Sequence, residues 1–136
     1  QAFAQALAAE GFDVLAESRG YTASHQVLTR HGDIDSGAGA TAAALLEKAG
    51  IITNMNMLPG DSKAMTPSGL RLGVQELTRV GMGPREMEEV ASFYARVLLK
   101  GEDVKGIKNE VHHLKSDFQH VQYCFDSEDA LAYEGM

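Results

Sequence analysis

A chain of 136 residues with 44% apolar and 23% charged side chains has the composition of one globular domain around a single core. Its formal net charge of −7 sets an adverse field against nucleic acid, and the few basic residues do not cluster, so nucleic acid is excluded as a partner. One cysteine, Cys124, excludes an internal disulfide and suits a reducing, cytoplasmic compartment, and no stretch of about 18 apolar residues is present to span a membrane.

The opening segment QAFAQALAAEG reads as the inside of a helix already begun, with neither the basic start nor the apolar middle of a signal peptide. The chain is therefore expected to be a piece of a longer polypeptide. Phe3 and Leu7 share a helical face, and Gly11 supplies a left-handed stop. Phe12 to Ala16 and Ser24 to Thr29 are predicted strands, separated by the turn-like ESRG. HGDIDSGAG then reads as a flexible, polar surface loop, and Ala38 to Ala49 as a helix that buries Leu45 and Leu46 and ends at Gly50. From Ile51 to Leu58 the alternation predicts a strand with Met55 on one face and Asn54 and Asn56 on the other.

PGDSKAMTPSG is a loop rich in turn formers, Leu70 to Gly73 a short strand, and GVQELTRVGM a turn or short helix. Gly83-Pro84 opens the clearest helix, with Glu86, Glu88 and Glu89 near its start and Gly101 as its stop. Its apolar face is Met87, Val90, Ala91, Tyr94, Val97 and Leu98. A last helix from Asp103 to Phe118 carries the stripe Val104, Ile107, Val111, Leu114 and Phe118, expected to pack on its own domain. HVQYCF is a further strand candidate, followed by an acidic end. This order predicts an α+β, two-layer domain: a short mixed or antiparallel sheet packed against helices.

SGLRLG carries the chemistry. In an extended chain Leu70 and Leu72 point one way, and Gly69, Arg71 and Gly73 the other, so the arginine has no side chain beside it on its own face. A guanidinium there matches a carboxylate through two parallel hydrogen bonds. On pattern alone, a structural ion pair with one of the 19 acidic residues is the commoner fate. Asn54 and Asn56 add two amides on one face of the preceding strand.

The segment IITNMNMLPGDSKAMTPSGLRLGVQELTRVGM resembles the C-terminal domain of serine hydroxymethyltransferases. That family writes an Asn-Lys-Asn strand, a Pro-Gly-Asp loop and then Ser-Gly-Leu-Arg-Leu-Gly-Thr-Pro-Ala-Leu-Thr. TASH stands where the family has Thr-Asp-Asn-His, and the helix ending LLEKAGI also fits, so the similarity runs from about Gln1 to Lys100 in order. The resemblance implies the small domain of a fold-type-I, pyridoxal-phosphate-dependent enzyme over residues 1–103, with 104–136 a helical extension and tail of the same domain. It implies that Arg71 binds the substrate α-carboxylate and that Asn56 lies near the folate pterin, Asn54 lining the same second-substrate side. His25 aligns with the family histidine and receives no role.

The family's Schiff-base lysine and its cofactor-stacking residues belong to a large domain outside this chain. No catalytic, cofactor-binding or metal-ligating residue is therefore assigned here, and the fragment alone is expected to be inactive. Implied partners are the amino-acid substrate, the rest of the polypeptide and a second copy in a homodimer. Met55 replaces the family lysine, Val74-Gln75-Glu76 replaces Thr-Pro-Ala, and Ala23-Ser24 replaces Asp-Asn. These departures put tetrahydrofolate use in question and keep threonine transaldolase, a relative acting on a different aldehyde, as an alternative. A stand-alone interaction module is the alternative from another class.

Other motifs carry less. Gly37-Ala38-Gly39 lacks the third glycine of a dinucleotide loop, and Asp33, Asp35 and Gly37 lack the rest of a calcium loop. His112, His113 and His120 have no HExxH partner motif and read as solvent-facing, and Cys124 reads as a buried, inert thiol.

Overall fold

The structure, a computed structural model, describes residues 1–122, so the expectations for Tyr123, Cys124, Phe125 and the acidic end lie outside the described residues. The elements are α1 (Ala2–Ala9), β1 (Asp13–Val14), a 3-10 turn (Glu17–Arg19), β2 (Gln26–Arg30), α2 (Ala38–Lys48), β3 (Asn54–Asn56), β4 (Gly69–Gly73), α3 (Gln75–Arg79), α4 (Pro84–Leu98) and α5 (Val104–Ser116). The strands form one sheet in the order β1-β2-β4-β3, antiparallel at every junction. The α+β two-layer architecture is the expected one, with the mixed-sheet option removed.

One face of the sheet is the floor of the core. Val14, Val27, Thr29, Leu70 and Leu72 are buried there beneath the helices. α1 ends where Gly11 takes a φ of 99°, a conformation that side chains resist. α4 begins as its sequence dictates, the Gly83 N–H donating to the Glu86 carboxylate at 2.7 Å ahead of Pro84. Its expected face, Met87, Ala91, Tyr94 and Val97, is buried, with Val90 and Leu98 half-buried. Phe93 and Ala95 are buried as well, because α1 and α5 both pack on α4. Phe3 meets Tyr94 edge-on, with ring centroids 5.6 Å apart.

The α5 stripe closes the core of its own domain. Ile107 and Val111 are buried, while Val104, Leu114 and Phe118 pack against them from the rim. Asp103 caps the helix by accepting the Gly106 N–H at 3.1 Å. Arg96 of α4 forks onto Glu110 at 2.6 and 2.7 Å and reaches Glu102 at 2.8 Å, fixing α5 to α4.

Three expectations are corrected. The strand predicted from Ile51 to Leu58 pairs only over Asn54–Asn56, and Leu58, 3% exposed, folds over Gly69 instead of continuing the ladder. The strand predicted from Phe12 to Ala16 shrinks to Asp13–Val14: Leu15 still donates its N–H to the Leu28 carbonyl at 2.9 Å, but Ala16 takes a left-handed φ of 64° and turns the chain away. Leu45, expected to be buried, is half-buried, since α2 turns Ala42, Leu46 and Ala49 toward the core. Gly39, in the first turn of α2, presses against the backbone of Gly69 and leaves no room for a Cβ. Among the described residues no helix is long and apolar enough to cross a membrane.

If α5 is an integral part of this core, Ile107→Ala lowers unfolding stability by about 2–5 kcal/mol. Lys105→Ala, exposed on the same helix, stays within about 0.5 kcal/mol. Denaturant unfolding of both variants measures the difference.

Candidate functional site

The second face of the sheet carries the residues of interest. Residues directly opposite one another on antiparallel strands share a face. Arg71 at the middle of β4 lies opposite Leu28 of β2 and Asn54 of β3, and Asn56 lies opposite Gly69. Arg71, Asn54 and Asn56 thus stand on one face, away from the helices. Arg71 and Asn54 are exposed. Asn56 is half-buried, its amide donating to the Met57 carbonyl at 2.6 Å.

Among the described residues, the Arg71 guanidinium makes neither an ion pair nor a hydrogen bond, and neither cross-strand neighbour is acidic. Arg30, the other guanidinium on this face, is engaged. It lies 3.7 Å from the Asp13 carboxylate and donates to Ser68 Oγ at 3.2 Å and to the Pro59 carbonyl at 3.4 Å. The structural ion pair that pattern alone favoured for Arg71 is formed by Arg30 instead.

The cleared space expected on either side of Arg71 is corrected. The volume that a Cβ at Gly69 would take is filled by the Leu58 side chain, and that at Gly73 by the Gln75 amide, whose Oε1 would sit 2.7 Å away. Arg71 therefore stands in a notch walled by Leu58 and Gln75 along its own strand, and by Leu28 and Asn54 across it. The notch opens outward. A cavity of about 560 Å³ lies on the helix side against Leu72, Met82 and Tyr94, and a hollow of about 610 Å³ lies against Arg30, His31 and Thr41. Neither includes Arg71, Asn54 or Asn56.

Beside the notch, two aspartates bind the loops together. Asp61 Oδ2 accepts the N–H groups of Leu58 and Ser68, each at 2.9 Å, and the Ser68 hydroxyl at 2.8 Å. Its Oδ1 accepts the Asp35 N–H at 2.9 Å. Asp35 in turn accepts the Ser62 and Lys63 N–H groups at 2.8 Å and the Ser62 hydroxyl at 2.6 Å. The N–H of Leu58, with those of Asp35 and Ser68, holds the Asp61 carboxyl far below the usual carboxylate range, and the Ser62 hydroxyl leads the same effect on Asp35. HGDIDSGAG is accordingly stapled to PGDS rather than being an independent surface loop.

Comparison with known proteins decides the lineage. The family profile described as serine hydroxymethyltransferase matches residues 1–94. The chain belongs to the serine hydroxymethyltransferase family. Curated serine hydroxymethyltransferases from Thermococcus gammatolerans and Pyrococcus abyssi are 52% identical over 93% of the chain, and that from Thermoplasma acidophilum is 49% identical over 96%. The chain spans 30% of the length of each of these relatives. A solved structure, the L-threonine transaldolase from Pseudomonas fluorescens in its internal aldimine state, matches with a TM-score of 0.75 at 30% identity, covering 86% of this chain and 26% of that one. The fold is that of a small domain of fold-type-I, pyridoxal-phosphate-dependent enzymes.

Family membership makes the departures worth locating. Met55 lies opposite Leu70, on the helix side of β3, so the position of the family lysine faces away from Arg71. Ala23-Ser24 precedes β2 and Val74-Gln75-Glu76 follows β4, and the two segments meet at one end of the sheet, where the Val74 N–H donates to the His25 carbonyl at 3.0 Å. No strand position on the open face is a lysine or an aromatic residue. The strand positions of this face therefore offer a pyridoxal ring neither a Schiff-base nitrogen nor a stacking surface. His112, His113 and His120 are all exposed.

Sequence reasoning placed Leu58 on the face of Asn54 and Asn56 but missed its packing over Gly69, and it missed Leu28, Arg30 and the two aspartates. Alternation along β2 places Arg30 on the face of Arg71 and could have revealed it. Nothing local in the sequence signals that Asp35 and Asp61 meet.

His31 follows β2 beside this network, its backbone N–H donating to the Ser68 carbonyl at 2.9 Å and its Nε2 lying 2.8 Å from the buried Thr29 hydroxyl. Burial lowers its pKa from the ordinary value, against a smaller opposing pull from Asp13. The depressed value means that the unfolded chain takes up the proton first. Stability is therefore complete above about pH 6.5 and falls as pH drops through the interval down to the folded value. His31→Gln flattens this decline below about pH 6.5, as measured by denaturant unfolding at each pH.

Proposed function

We propose that this chain is the C-terminal small domain of a pyridoxal-phosphate-dependent enzyme that makes or breaks the Cα–Cβ bond of β-hydroxy amino acids, with Arg71 binding the substrate carboxylate. The supporting observation is Arg71 itself: a guanidinium without a protein partner among the described residues, opposite an exposed Asn54, on the uncovered face of a sheet whose other face is the core.

The chemistry divides accordingly. Pyridoxal phosphate, carried with its lysine by the remainder of the polypeptide, supplies an electron sink for the α-carbon. What this chain contributes is orientation. A carboxylate seated bidentately on the Arg71 fork has its plane and direction fixed, which fixes the directions of the remaining α-bonds. Leu58 and Leu28 keep the surroundings of the fork partly apolar, which strengthens a charged pair once the face is covered. Asn54 and Asn56 stand on the second-substrate side, Asn54 with a free amide.

Serine hydroxymethyltransferase chemistry, with tetrahydrofolate as the one-carbon acceptor, is the first reading, supported by family membership. Threonine transaldolase chemistry with a non-folate aldehyde is the second. It is favoured by the departures gathered at the α3 end of the face and by the likeness to the Pseudomonas fluorescens enzyme. In both readings the working enzyme is a homodimer, and a cytoplasmic location agrees with the single cysteine.

Two outcomes follow. In the complete enzyme, Arg71→Ala lowers kcat/KM for the amino-acid substrate by about 2–5 kcal/mol, the cost of leaving a desolvated carboxylate unpaired. Near-normal kcat/KM defeats the assignment. Residues 1–136 alone, mixed with pyridoxal phosphate, cleave neither serine nor threonine, and the full polypeptide assayed for threonine cleavage with and without tetrahydrofolate separates the two readings.

A further inference from the structure

We infer that Asp61 is a positioning residue for Arg71, holding Asn54 opposite the guanidinium and Leu58 against its flank. The inference rests on the reading of Arg71 as the carboxylate anchor.

β3 is only Asn54–Asn56, and a long irregular connection separates it from β4. A strand so short is weakly registered by its own ladder, and a slip of one residue reverses its faces. Met55 would then point toward Arg71, and both asparagines toward the helices. Asp61 opposes that slip from both ends of the connection. Its Oδ2 grips the N–H of Leu58 just after β3 and both donors of Ser68 just before β4. Its Oδ1 takes the N–H of Asp35, whose own carboxylate takes three donors from Ser62 and Lys63. Ser68, fully buried, passes the constraint on by accepting from Arg30 of β2.

Leu58 shows why the position matters. Held through its N–H, it fills the space over Gly69 and forms the apolar wall one pleat from Arg71. An amide cannot replace the carboxylate here, because asparagine has one acceptor oxygen and its NH₂ would confront donors.

The test uses the complete polypeptide with Asp61→Asn, Arg71→Ala and the double variant, reading KM for the amino-acid substrate separately from kcat. Asp61→Asn is expected to raise KM by about tenfold with a much smaller change in kcat, and to add little to the KM of Arg71→Ala, since both act on one carboxylate. Independent, multiplying effects, or an unchanged KM in folded Asp61→Asn, overturn the positioning role. Should Asp61→Asn fail to fold, Ser68→Ala removes a single donor from Oδ2 and carries the same test, with a KM rise of about two- to fivefold expected and an unchanged KM overturning the role. An effective Arg71→Ala beside a silent Asp61→Asn sinks the positioning role alone, whereas a silent Arg71→Ala sinks the carboxylate reading and this inference together.

Discussion

Burial of Leu70 and Leu72 beneath the helices dictates where Arg71 must go. In a pleated strand the residue between two buried ones leaves through the opposite face, and β4 is an inner strand, so both of its neighbours contribute to what surrounds that residue. β2 presents Leu28 and β3 presents Asn54. None of this requires a special property of the arginine. The apolar floor of the domain and the chemistry of its open face are consequences of the same five residues.

The loops then turn an exposed arginine into a defined notch. Glycines at both same-face neighbours of Arg71 let Leu58 and the Gln75 amide come close, so the space is occupied by residues from outside the strand. The aspartate pair keeps one of these walls in place. Arg30 satisfies its charge against Asp13 and Ser68, which leaves Arg71 as the sheet-face cation without a partner among the described residues. The strand positions of the face carry neither lysine nor aromatic side chains, and the relatives are more than three times as long as this chain. In the proposed reading, substrate orientation and cofactor chemistry belong to different parts of one polypeptide.

Where local pattern and tertiary environment agreed, the fold was legible in the sequence. The α4 boundaries followed from Gly83-Pro84 and Gly101, the α5 stripe from its spacing, and the two faces of β4 from simple alternation. The eight-residue alternation from Ile51 to Leu58 overstated β3, because strand length is set by partners and β4 pairs with Asn54–Asn56 at only three positions before Leu58 folds over Gly69. The site was half legible. Arg71, Asn54 and Asn56 could be named and placed on faces, but the filling of Gly69 by Leu58 and the meeting of Asp35 with Asp61 depend on contacts across many residues of chain. Lineage came from the spelled-out segment between Ile51 and Met82, which composition and periodicity could not have supplied.

The most direct measurement of the central claim compares kcat/KM for L-threonine with that for its carboxamide, in the complete enzyme and in Arg71→Gln. If the guanidinium grips the acid group, the wild-type preference for the acid is large and collapses toward unity in the variant. A preference that survives the substitution would contradict the account.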